Sequence, residues 1–123
     1  MKKLFIKPIG KPRMTQRDKW LKPPRKCVAD YWNYKDKVQE FIKEHNLNFS
    51  KGILGIYFVI EMPKSWSDKK KARMVNTPHQ QRPDLDNMIK AFKDAALKED
   101  SHIWKYSPAP FKVWGYRNEI VIL

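Results

Sequence analysis

A chain of 123 residues with 41% hydrophobic and 13% aromatic content can build the core of one compact domain and is too apolar to be disordered. It has no apolar run near the ~20 residues that cross a bilayer, its basic N-terminus breaks at Pro8 too soon for a signal peptide, and a lone Cys27 excludes an internal disulfide. The net charge of +13 asks for a polyanionic partner, and a reducing cytoplasm is the expected setting.

In chain order, residues 4–9 read as a first strand, stopped by Pro8, Gly10 and Pro12. Residues 10–24 are a proline-broken loop, and residues 1–30 as a whole carry ten Lys/Arg against Asp18 and Asp30. A helix is predicted over about 28–45, because Tyr31, Tyr34, Val38, Phe41 and Ile42 recur at helical spacing, and Asn46 suits its end. Residues 52–62 form the strongest strand pattern, a β-branched and aromatic run closed by Pro63. A second basic segment, 64–82, holds six Lys/Arg against Asp68, and Ser65 or Ser67 could cap a short helix within it. Neither basic segment has the apolar face that a membrane surface would require.

The next helix begins near Pro83. Leu85, Met88, Ile89, Phe92, Ala95 and Ala96 make its core-facing stripe, while Asp86, Lys90 and Asp94 fall on the flank away from it. A short strand over 103–106 follows, then strands over 111–116 and 119–123 joined at Arg117 and Asn118. The order is β-α-β-α-β-β, an α+β fold in which two main helices pack on a small mixed sheet.

Outside the two basic segments the charges balance, which makes the carboxylates of 84–100 an acidic island in a basic chain. Asp84 and Asp86 lie where a loop turns into a helix, and the positive helix end favours ionised carboxylates there. Two carboxylates held close repel unless a cation joins them; Mg²⁺ or Mn²⁺ takes oxygen ligands and keeps room for a phosphate. Asp100 can add a third carboxylate if the turn after Leu97 folds it back. Lys90 is spaced to stabilise a phosphoryl transition state or to orient a water. The same residues have a plainer reading: Asp-x-Asp at a helix start also caps helices, and Asp86–Lys90 at i,i+4 is also a surface salt bridge. One cysteine and the scattered His45, His79 and His102 exclude a zinc cage. His79, just before the acidic run, either touches a phosphate or is an exposed loop histidine.

The run Pro-His-Gln-Gln-Arg-Pro-Asp-Leu-Asp-Asn-Met-Ile-Lys-Ala-Phe-Lys-Asp-Ala (78–95), followed by Glu-Asp-Ser-His-Ile (99–103), resembles the RusA family of Holliday junction resolvases. Gly-Lys-Pro-Arg (10–13) and Met-Pro-Lys-Ser-Trp-Ser (62–67) extend the likeness over nearly the whole chain. The resemblance implies a RusA-like fold and a homodimeric, Mg²⁺-dependent endonuclease, with Mn²⁺ as a substitute, that nicks two strands of a four-way DNA junction symmetrically. It assigns the metal to Asp84, Asp86 and Asp100 and the catalytic lysine to Lys90. The spacing from Asp86 to Asp100 is shorter than the family's, so Glu99 is the alternative third ligand. Phosphates of the junction arms would meet Lys11, Arg13, Arg17, Lys19, Lys69, Lys70, Lys71, Arg73, His79 and Arg82. Trp20 or Trp66 would stack at the crossover or pack in the fold. Members are common in phages and prophages. Two rival readings use the same residues: a less selective nuclease for branched or flap DNA, and a non-catalytic nucleic-acid-binding domain.

Overall fold

The computed structural model describes residues 1–13 and 16–123, and for Gln16 and Lys19 the backbone alone. These residues form β1 (Lys2–Leu4), α1 (Lys26–Glu44), β2 (Ile53–Leu54), β3 (Ile56–Glu61), α2 (Asp68–Met74), α3 (Leu85–Ala96), β4 (Lys105–Tyr106), β5 (Lys112–Gly115) and β6 (Glu119–Ile122). Two 3-10 turns, Gln16–Lys19 and Asp100–His102, complete the set. The main sheet has the order β1-β6-β3-β5, and β2 and β4 make a separate parallel pair. The α+β reading holds.

The sheet works by alternation. Ile56 and Phe58 of β3, with Ile120 and Ile122 of β6, point to one face and are buried. Against that face lie Tyr31, Tyr34, Val38 and Phe41 of α1 and Met88, Ile89, Ala91, Phe92 and Ala95 of α3. Both helices therefore bury the stripe that their spacing predicts. The end of α1 also follows the sequence: Asn46 takes φ 50°, the left-handed turn that closes many helices. None of the helices among the described residues is long and apolar enough to cross a membrane.

Several boundaries differ from the sequence reading. The first strand is Lys2–Leu4 rather than 4–9, because only those residues find a partner, in β6. The 52–62 run is two strands, β2 and β3, and Gly55 breaks it where the chain leaves the small parallel pair for the main sheet. The helix near Pro83 starts at Leu85, with Asp84 as its N-cap. The last two strands are joined at Arg117 and Asn118 as expected, and they are not paired to each other.

The separation of β5 from β6 has a clear cause. β3 lies between β5 and β6, parallel to the first and antiparallel to the second. The link 116–118 steps over the end of β3, where the Glu61 amide donates to Asn118 Oδ1 at 2.8 Å. Gly115 permits the close approach, since a Cβ there would sit 2.2 Å from Val59 Cγ1. Local pattern alone does not distinguish this split pair from a simple hairpin.

Candidate active site

The acidic motif is delivered by an extended segment that runs along the outer edge of β5. The Asn76 amide donates to Trp114 O, the Trp114 amide to Thr77 O and the His79 amide to Lys112 O, at 2.9–3.1 Å. Beyond His79 no ladder bond continues, and Pro83 has no N–H to give. Lys112 takes over from its side chain: Nζ donates to Gln81 O at 2.5 Å and to Pro83 O at 2.6 Å. The chain is thus fixed up to the residue before Asp84. Burial lowers the Lys112 pKa, and the nearby Asp84 carboxylate pulls it back up.

Lys112→Met should leave two loop carbonyls without their donor and cost roughly 1–3 kcal/mol of stability in a urea titration. Amides between 80 and 84 should then exchange hydrogen faster than in the parent. Unchanged exchange there would mean that the loop holds without the clamp.

α3 displays what this loop positions. Asp86 and Lys90, one turn apart on its exposed flank, line an open cleft of about 410 Å³ together with Lys93, Asp100, Tyr106 and Pro110, over a floor of Leu85 and Ile89. Asp100 reaches the cleft because the chain turns extended at Leu97 and then re-enters a 3-10 turn at Asp100. Glu99, the alternative ligand, is otherwise engaged: its carboxylate accepts from the Ser101 hydroxyl at 2.8 Å and the Ser101 amide at 3.3 Å, and these bonds lower its pKa. Asp84 does not line the cleft. It caps the helix by position, near Lys112, without a side-chain capping bond.

The plainer readings of the motif hold only in part, since Asp84 occupies the N-cap position of α3. Among the described residues Asp84 caps no amide with its side chain, and Asp86 and Lys90 form no ion pair. Asp94 is the contrast on the same helix, since it binds Lys11 Nζ at 2.5 Å. That bond raises the Lys11 pKa against the effect of partial burial. Among the described residues no ion pair takes up the oxygens of Asp86 or Asp100.

The fit to a divalent ion follows from this donor set. Among the described residues no three His, Cys, Asp or Glu side chains are gathered closely enough to cage a metal. Mg²⁺ does not need such a cage: one or two carboxylates with waters and substrate phosphate oxygens are its usual protein complement. Asp86 and Asp100, oxygen donors on one open cleft, fit that pattern.

The predicted DNA contacts divide. Arg13, Arg17, Lys69, Arg73 and Arg82 are exposed. Lys71 is half-buried, and Lys70 lies over the Trp66 ring, 4.2 Å from its centroid. Lys69, Lys70, Lys71 and Arg73 all belong to α2, which Ser67 caps by accepting from the Lys70 amide at 3.1 Å. Lys11 is a tether between the N-terminal loop and α3 rather than a free cation. The Lys19 side chain lies outside the described residues.

His79 departs from the exposed-histidine reading. It is 5% exposed, edge-on to Trp114 with 4.4 Å between ring centroids, and its Nδ1 has no described partner. Burial lowers its pKa, with help from Lys112, so it is unsuited to meeting a phosphate as a cation. Trp66, 4.9 Å from Trp114, packs in the same group, whereas Trp20 is 81% exposed. Sequence reasoning missed Lys93, Tyr106 and Lys112. The available signal for Lys112 was a cation heading an otherwise apolar strand.

The chain is thus an α+β scaffold of net charge +13 that presents carboxylates and lysines on one cleft. The family model for endodeoxyribonuclease RusA matches residues 6–122, and the chain belongs to that family of endodeoxyribonucleases. Comparison with curated proteins and with solved structures found no match.

Proposed function

We propose that the protein is a junction-resolving endodeoxyribonuclease that hydrolyses phosphodiesters of four-way DNA with the help of Mg²⁺. The observation that carries this reading is the cleft itself, where Asp86 and Asp100 face Lys90 with no ion pair among the described residues to neutralise them. With Asp84 outside the cleft lining at the N-cap of α3, Asp86 and Asp100 would hold the ion. Once bound, it would supply an activated water and offset charge on the scissile phosphate.

The chain's own groups do the rest. In the hydrolysis a water oxygen would bond to phosphorus as the bond to the sugar oxygen breaks, one proton of the water would end on the departing oxygen, and negative charge would build up on the phosphoryl oxygens between those events. Lys90 meets that charge with an ammonium from the exposed flank of α3. Lys112 keeps the loop before Asp84 in place, and the exposed cations of the N-terminal loop and α2 hold phosphates of the arms. Such contacts make binding fall steeply with salt. We infer a homodimer, because a four-way junction has approximate two-fold symmetry and resolution requires two related cuts.

The test is to incubate the protein with a synthetic four-way junction, a flap and a linear duplex, each with Mg²⁺ or with EDTA. Paired nicks confined to the junction and dependent on Mg²⁺ are expected. Metal-dependent cutting of every branched substrate would replace this reading with a general branched-DNA nuclease. Binding without cutting would replace it with a non-catalytic binding domain.

A further inference from the structure

Trp104 is held in a way that neither the core nor the chemistry of the cleft requires. Its amide donates to Gly52 O and its indole Nε1–H to Lys51 O, both at 2.9 Å. The ring edge lies so close to Gly52 that a Cβ there would sit 2.6 Å from Trp104 Cδ1, and Gly52 itself adopts φ 70°. A left-handed glycine and the indole's only donor are thus used to fix one ring. Yet the residue remains 70% exposed. A tryptophan anchored for packing buries its faces; this one is anchored by an edge.

Its neighbours give the ledge a direction. Tyr106, two residues on, is 37% exposed and lines the cleft with Asp86, Lys90 and Asp100. Each ring has an ammonium close by: Lys105 Nζ is 6.0 Å from the Trp104 centroid and Lys93 Nζ is 5.4 Å from that of Tyr106. Aromatic faces interleaved with cations match a nucleic-acid strand, in which bases stack on rings while phosphates meet ammonium groups. Bases already out of the duplex stack are the least costly to capture.

We propose that Trp104 is a stacking platform for an unstacked nucleobase beside the scissile phosphate, and that Tyr106 continues the platform into the cleft. This inference rests on the reading of the cleft as a DNA-cleaving site. It is distinct from Trp66, which packs against Trp114.

The test is a mutant cycle between protein and DNA, measured as binding in EDTA so that no strand is cut. Trp104→Ala and Trp104→Phe are compared with the parent on an intact junction and on junctions with one abasic nucleotide at each position flanking the branch. Trp104→Ala should bind the intact junction about tenfold more weakly, and Trp104→Phe should keep most of the affinity. At one abasic position the parent should lose the same factor and Trp104→Ala should lose nothing further, the non-additivity of a direct contact. Equal losses for Trp104→Ala on the intact and on every abasic junction would overturn the proposal, as would no loss at all. If the parent bound the junction no better than duplex, the junction reading would fall. The same cycle on an abasic-containing single strand would then decide the stacking claim.

Discussion

Asp86→Asn is expected to lower the cleavage rate by at least about a hundredfold while leaving junction affinity unchanged or slightly improved. The argument starts from the cleft. Asp86 faces it together with Asp100, and no described side chain uses its oxygens. The amide is nearly the same size, so the helix and its packing should survive. What disappears is a charge that a divalent ion needs, along with a charge that repels DNA. Rate and affinity should therefore move apart. A folded Asp86→Asn protein that loses binding would count against a metal role for this residue. Asp84→Asn should share the direction with a smaller effect, because Asp84 stands outside the cleft lining, near Lys112.

The second large effect is expected at Lys90. Removing a fixed positive group aimed at developing phosphoryl charge typically lowers turnover by about a hundredfold to a thousandfold. Lys90→Ala should approach that range, measured as single-turnover cleavage at saturating protein. Its affinity should drop only as far as one lost phosphate contact allows, together with a salt slope shallower by about one unit. Rate and affinity falling in step would make Lys90 an anchor for the DNA rather than a catalytic group. Lys93 lines the same cleft near the Tyr106 ring and offers an internal comparison. Its removal should affect affinity more than rate.

The sequence carried much of this because the decisive signals are local. The α3 stripe from Leu85 to Ala96, the α1 stripe from Tyr31 to Phe41 and the Ser67 cap each depend on spacing within a few turns of chain. The acidic motif was legible for the same reason, and the turn after Leu97 brings Asp100 to the α3 cleft as its place in the sequence allows. What escaped is non-local. Nothing in 112–122 states that β3 will come between β5 and β6. Likewise, nothing near His79 shows that Trp114, far along the chain, will bury its ring. Lys11 looked like one more loop cation until Asp94 was brought against it. Charge counting finds a basic segment, but only packing decides which of its members are free.

The position of β6 has a consequence for how the protein is made. β1 pairs only with β6, and β3 also borders β6, so the strand nearest the C-terminus fills the gap between the first strand and the centre of the sheet. While the chain emerges from the ribosome, α1, α2 and α3 can already form, but the sheet they rest on stays incomplete until residues 119–122 arrive. Ile120 and Ile122, which close the core against both helices, are made after those helices. The sheet therefore cannot close before β6 has been made. A chain stopped short of Glu119 should be left with unsheltered helices and a first strand lacking its partner, a substrate for proteolysis rather than a shortened enzyme.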